Sequence, residues 1–281
     1  MNTPVPQPGP IVAVVTDSAS MLPPAWRDRL RVAVAPMTVV MDGEAYREGV
    51  DLDGPEFYRR LAAGAEVSTS APSPGALLAA YQAAADTGAT TVVAVHTGSA
   101  YSGVGNAAGI AAAEVAIAVE LIDTGTVSFP VALCVAAAGA ARDSGGTAAE
   151  VADAARRTAA VVDSVFVVGV PELARRGGRF GEKAKTATTI LGLGPSGVNE
   201  HGTAADIDEA IAQMAAIVRG AARGTALRVG VGDADRPDLG ERLTDALSGA
   251  EGIADLVRYE VGPSVGAHTG PGTVGAVWAP A

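Results

Sequence analysis

Aromatic residues are scarce in this chain, at 4% of 281 positions, and cysteine occurs once. So few aromatic faces leave little on which successive bases could stack. Cys134 alone cannot close a disulfide within the chain or anchor a metal cluster. It lies in an apolar stretch and reads as a small buried hydrophobe. Positive charge is also short: 20 Lys and Arg stand against 31 Asp and Glu, a formal net charge of −11. Binding a phosphate backbone needs basic patches, and none occurs beyond Arg175-Arg176 and Arg179. The three histidines, at 96, 201 and 268, lack the spacing of a metal motif. No metal or cofactor is expected. A G-x-S-x-G elbow and a Walker A loop are missing, and Gly103-Val104-Gly105 lacks the third glycine of a dinucleotide loop. The apolar run at 129–141 is too short to span a bilayer. Residues 1–10 are proline-rich, without the charged and apolar regions of a secretory signal. The expectation is a soluble, cytoplasmic protein.

What the chain has in quantity is Ala and Val, within a hydrophobic share of 48% that supplies ample core. Residues 11–16 form a β-branched run followed by Asp17-Ser18-Ala19-Ser20, the pattern of a buried parallel strand ending in a polar loop. Residues 31–41 read as a second strand, 91–95 as a third and 118–123 as a fourth. Helices are expected at 53–62 behind Asp53, at 74–85 behind Ser73, at 104–115, at 131–142, and at 147–161. Thr147 with Glu150 three residues on forms a capping box. This alternation predicts an α/β fold with a mostly parallel sheet and helices on both faces. Ligands of such sheets sit beyond the carboxyl ends of the strands, here the loops after Val15, Val95 and Ile122.

The second half supplies strands at 165–170, 227–231, 256–261 and 274–278, with helices at 172–179, 205–219 and 238–248. A boundary near 161–164 divides the chain into two α/β domains, 1–162 and 163–281. No internal repeat is evident.

Three hydroxyl-rich segments stand out: Thr16 to Ser20, Ser68 to Pro74, and Gly98 to Gly103. Each follows a strand or precedes a helix N-terminus, where unpaired N–H groups favour an anion. Near the C-terminus, residues 262–272 read Gly-Pro-Ser-Val-Gly-Ala-His-Thr-Gly-Pro-Gly, a turn that carries His268. Its imidazole can donate a hydrogen bond to an acid at neutral pH. The blander roles are a cap for Ser73, a cap for Ser102, and loop acceptance of N–H groups by Asp17. A Ser-His-Asp set could be drawn from Ser102, His268 and Asp17 or Asp123, but without the elbow.

Thr16-Asp17-Ser18, Thr69 to Pro74, Ser99 to Gly103, Gly177-Gly178-Arg179 and Gly266 to Gly272 occur in the order found in the DegV family, and the chain resembles that family from Ile11 to Trp278. The resemblance implies two α/β domains with one long-chain fatty acid in an apolar tunnel between them. It implies that the carboxylate is held by Thr69, Ser70, Ser99, Ser102, Gly103, His268 and Thr269. Asp17, Ser18 and Arg179 would lie near the head group or a partner surface. It further implies a partner, an ATP-dependent fatty acid kinase that phosphorylates the bound carboxylate towards phospholipid synthesis; the carrier itself is not an enzyme. An acyl-ester hydrolase using a Ser/His pair and a lipid-sensing regulator without a kinase are the alternatives. The chain departs from the family pattern at Gly98, where Ser is usual, at Val104-Gly105, and in a short 191–206 segment where Pro195 and Gly202 read as remnants of the family's K-P-I-L-type strand and turn, Gly194 stands in place of the lysine, and the basic stretch is absent.

Overall fold

A computed structural model describes residues 11–180 and 183–281. The first part of the chain runs β1 (Val12–Asp17), α1 (Pro24–Arg29), β2 (Ala33–Ala35), β3 (Thr38–Met41), β4 (Glu44–Arg47), α2 (Gly54–Ala62), β5 (Val67–Ser70) and α3 (Pro74–Asp86). There follow β6 (Thr91–His96), α4 (Val104–Glu114), β7 (Ala118–Asp123), α5 (Phe129–Asp143) and α6 (Ala148–Ala159). The rest runs β8 (Asp163–Val167), α7 (Pro171–Gly177), β9 (Thr189–Gly194), β10 (Gly197–Thr203), α8 (Ile207–Ala221), β11 (Leu227–Asp233), α9 (Pro237–Leu247), β12 (Ile253–Glu260), α10 (Pro263–Thr269) and β13 (Val274–Pro280).

Three sheets result. The first is parallel throughout, in the order β2-β1-β6-β7. One of its faces packs on α3 and α4 around Leu77, Tyr81 and Val104; the other packs on α5 and α6. The second sheet, β10-β9-β8-β13-β11-β12, is antiparallel except for β11 with β12. Helices α8 and α9 cover one of its faces around Met214 and Leu243. The third, β4-β3-β5, is a small antiparallel sheet that packs with α2 around Met41 and Phe57.

Helix α5 lies between the two large sheets. It is apolar on all sides over its first eight residues, every one of them buried. Its Phe129 and Val131 share a core with Val14 and Val93 of the first sheet and Val277 and Ala279 of the second. A helix without a polar face must be enclosed, and burial on both sides meets that need. Cys134 lies in this helix fully buried, its thiol pushed up to about 12 by desolvation.

The caps formed as their residues require. Asp53 accepts from Glu56 N–H, Ser73 from Ala76 N–H, and Thr147 with Glu150 closes a reciprocal box. Three expectations fail. Residues 31–41 are two strands in different sheets, because Pro36 between them has no N–H for a ladder. The 191–206 segment is not short of a strand: it builds the β9–β10 hairpin, with Ile190, Leu191 and Leu193 buried. Residues 262–272 are not a plain turn. They hold the two-turn helix α10, opened by Pro263 and closed by Gly270 at φ 74°. Proline at the start and glycine just past the end punctuate a helix as well as a loop.

Candidate functional site

A cavity of about 250 Å³ opens where several chain segments converge. β5 ends there with Thr69 and Ser70, the loop after β6 brings Thr97 and Ser102, and the loop after β7 brings Val127. Ala19, from the 3-10 turn after β1, completes the contribution of the three strand-end loops. From the other side α10 contributes Ser264, Val265 and His268, and the segment after α7 adds Arg179 and Phe180. The polar groups of the wall are thus neutral hydroxyls and one imidazole, with one guanidinium, set among apolar side chains such as Met37, Val127, Phe180 and Val265.

Thr69 Oγ1 and His268 Nε2 lie 2.8 Å apart, a hydrogen bond that ties the third sheet to α10. Burial, and then the neighbouring Arg179 guanidinium, lower the His268 pKa to about 4. The ring is therefore neutral at pH 7. It has one N–H to donate and one lone pair to accept. Gly177 makes this placement possible. A Cβ built on it would fall 2.5 Å from His268 Nδ1, closer than any real side chain sits. Arg179 Nη1 donates to the Gly177 carbonyl at 2.6 Å, at the same corner.

A second cavity, about 60 Å³ and almost wholly apolar, adjoins the first. Val127, Phe180 and Val265 line both. It lies between the N-terminal end of α5 and the inner face of the second sheet, among Pro130, Phe166, Leu193 and Val277. Its hydroxyls are largely turned to the chain itself. Ser164 donates to the Leu193 carbonyl, Thr269 to Val265 and Thr273 to Thr269.

Of the residues named from sequence, Thr69, Ser70, Ser102, Gly103, His268 and Arg179 meet at the first cavity. Four others do not. Ser99 is exposed, and its N–H donates to the Asp123 carboxylate. Thr269 faces the apolar cavity instead, with its hydroxyl on Val265 O. Asp17 is fully buried and accepts from His96 Nδ1 at 3.0 Å and from Thr97 N–H and Oγ1. Ser18 bonds Glu48 and accepts from Met37 N–H, on the border of a separate cleft. Asp17 thus ties the end of β1 to the loop after β6, and Ser18 ties the loop after β1 to the segment entering β3 and to Glu48.

No Ser-His-Asp relay forms. Among the described residues His268 bonds only Thr69, and no carboxylate backs it. The histidine that does meet an aspartate is His96, with Asp17 on Nδ1 and Tyr81 on Nε2 at 3.1 Å. That pair is 2% exposed at the imidazole and lies behind the wall, where it supports the fold. Groups of three or more metal-ligating side chains are likewise missing among the described residues. Sequence reasoning did not single out Thr97, Val127, Phe180 or Ser264. Only Ser264 had a usable signal, its i,i+4 spacing to His268 once 263–269 is read as helical.

These features define a class: an α/β protein whose helix-flanked parallel sheet ends at a hydroxyl-lined cavity, joined to an apolar one beneath. The family model for the uncharacterised proteins of the DegV family matches residues 11–281, and the chain belongs to that family. It is 33% identical over 273 residues to a DegV domain-containing protein of Streptomyces coelicolor, covering 95% of this chain and 97% of the relative. A DegV domain-containing protein of Deinococcus radiodurans is 29% identical over 282 residues, covering 96% and 98%. Among solved structures, a DegV family protein from Thermus thermophilus, described by its fatty acid binding, superposes with a TM-score of 0.88 at 28% identity, covering 96% of this chain and 99% of that one. A fatty acid binding DegV protein from Bacillus subtilis, at 23% identity and a TM-score of 0.88, shares the fold over 97% of this chain and all of that one.

Proposed function

We propose that this protein binds one long-chain fatty acid. The carboxylate occupies the polar cavity and the alkyl chain runs past Val127, Phe180 and Val265 into the apolar one. A carboxylate taken from water needs donors, or its burial costs several kcal/mol, about the worth of many contacts. Thr69, Ser70, Ser102 and His268, with the Gly103 backbone, offer them, and Arg179 is the one fixed positive charge on the same cavity among the described residues. Each methylene enclosed contributes about 0.8 kcal/mol. The protein is a carrier in this reading: it presents the carboxylate to an ATP-dependent kinase, and the resulting acyl phosphate feeds phospholipid synthesis. Arg179 stands at the rim, where it meets head group or partner.

The observation that carries the reading is the junction itself, a cavity of hydroxyls, one imidazole and one guanidinium whose apolar walls are shared with a second, apolar cavity. The fatty acid binding of the Thermus relative supports it. Native mass spectrometry of protein purified from a bacterial host tests it. The expected spectrum carries one long-chain fatty acid per chain, and addition of a fatty acid kinase with ATP converts that ligand to its acyl phosphate. Protein that stays lipid-free in excess fatty acid would overturn the binding. Turnover of p-nitrophenyl esters that vanishes in His268→Ala would replace the carrier with a hydrolase. Bound lipid that no kinase phosphorylates would leave a lipid-sensing regulator.

A further inference from the structure

Glu48 lies outside the head-group cavity, just past β4, on the border of the separate cleft. It is 6% exposed and, among the described residues, forms no ion pair. A carboxylate is seldom buried without a cation, because desolvation disfavours its charge. Here neutral donors stand in. The Ser18 hydroxyl donates to Oε2 and the Ser264 N–H to Oε1 at 2.8 Å, and the Ser264 hydroxyl is turned to the same carboxylate. Burial pushes the Glu48 carboxyl above the ordinary glutamate value, and these donors pull it back. Glycine at 262 lets the carboxylate come close, since a Cβ there would fall 2.8 Å from Oε1.

The donors belong to separate walls of the head-group cavity. Ser18 opens the 3-10 turn that brings Ala19 to it, and its oxygen accepts from the N–H of Met37, another lining residue. Glu48 N–H in turn donates to the Met37 carbonyl at 2.9 Å. Ser264 lies in the first turn of α10, which brings Val265 and His268. Helix α10 is thereby tied to the third sheet at both of its ends. Glu48, beyond β4, holds Ser264, and Thr69 of β5 holds His268 at 2.8 Å. β4 and β5 are the outer strands of that sheet, with β3 between them. Between the two anchors Val265 and Ala267 pack with Val39, Met41 and Phe57. A helix of seven residues has too few internal bonds to stand alone, so these anchors decide where its last turn lies.

Resting on the fatty acid reading above, we propose that Glu48 is a positioning residue for the head group: by holding the first turn of α10 it sets where the His268 imidazole meets Thr69 and the ligand carboxylate. Glu48 itself touches no ligand. Its part is to supply two acceptor oxygens at a fixed place, which a neutral amide of the same shape also supplies. A donor placed before the ligand arrives costs little to order on binding.

The test compares Glu48→Ala, Glu48→Gln and the unaltered protein, each with His268 kept and with His268→Ala. Dissociation of a long-chain fatty acid and of the alcohol of equal chain length is followed by stopped-flow transfer to albumin. Glu48→Ala is expected to release the fatty acid about tenfold faster, the worth of one misplaced hydrogen bond to a charged group, with release of the alcohol changed far less. Glu48→Gln keeps an acceptor for Ser264 N–H and should retain the acid nearly as well as the parent. In the His268→Ala background, Glu48→Ala should change acid release less than about twofold, because the group it positions is gone. Equal acceleration for acid and alcohol marks Glu48 as packing and overturns the proposal. So does Glu48→Gln releasing the acid as fast as Glu48→Ala, or a full further acceleration by Glu48→Ala without His268. Should Glu48→Ala fail to fold, Ser18→Ala frees one oxygen of Glu48 and is expected to quicken release of the acid over the alcohol to a smaller degree; no difference from the parent there overturns the proposal as well. A parent that holds no fatty acid overturns it through the binding reading, a result distinct from all of these.

Discussion

Thr69 is the residue on which the polar cavity turns, because its hydroxyl both lines the wall and fixes the His268 ring. Thr69→Val keeps the β-branched shape that a strand favours and deletes the hydroxyl. Fatty acid dissociation is expected to quicken about tenfold, since a hydrogen bond to a charged group contributes about 1.5 kcal/mol or more. Ser99→Ala serves as the contrast. Ser99 is exposed and engages Asp123 through its backbone, so release from that variant should match the parent in the same stopped-flow assay. His268 carries a pH signature of its own. Its folded pKa, about 4, lies below the ordinary histidine value because burial and Arg179 disfavour the imidazolium. The unfolded chain therefore binds this proton first as pH falls. Stability is intact above about pH 6.5, declines from there to about pH 4, and ceases to change on this account below that. Urea melts of delipidated protein should show His268→Gln with a shallower loss across that window than its parent. Identical slopes would mean that the imidazole is not shielded.

At the scale of elements, α7 and α10 meet at one point where no side chain fits. Ala at 177 would put a methyl group against His268 Nδ1, and the ring or the α7 terminus must move. Gly177→Ala is expected to lower stability by about 1–3 kcal/mol, as overpacking does, and to loosen the ligand as well. Calorimetry reads the first effect and release kinetics the second. An unchanged melting temperature would show that the corner yields freely. The same scale explains what could be read in advance. The helices at 54–62, 74–86 and 148–159 were legible because Asp53, Ser73 and Thr147 announce their starts. The third sheet was not. Its strands are four residues long, too short for a period to emerge, and the valines at 32, 34, 39 and 40 run on across the break that Pro36 makes between β2 and β3. Yet Thr69 and Ser70 sit on that sheet. Helix α10 was hidden for a related reason: a glycine- and proline-rich segment looks like a loop, and tertiary contacts to Glu48 and Tyr58 hold it helical.

On the scale of the whole molecule, α5 joins the parallel sheet to the larger mixed sheet, and the apolar cavity lies at its N-terminal end. Sequence pattern alone could place the polar residues in loops beyond strand ends, since those loops follow from the parallel arrangement. It could not place Ser99 outside the cavity or Thr269 inside the apolar one, because those outcomes depend on which way a loop turns against a neighbour far away in the chain. Val127 stands where the two cavities meet. Val127→Phe is expected to exclude long chains while leaving short-chain acids bound in the polar cavity, as competitive displacement titrations over a series of chain lengths would read. Uniform weakening at every length would remove Val127 from the path.

Soaking crystals of the protein with a saturated long-chain fatty acid puts the central claim to its most direct trial. The account predicts continuous density for one molecule, with carboxylate oxygens within hydrogen-bond reach of Thr69 and His268 and the alkyl chain beside Phe166 and Val277. Density that avoids both cavities, or a tail lying on the outer surface with the inner space still closed, contradicts it.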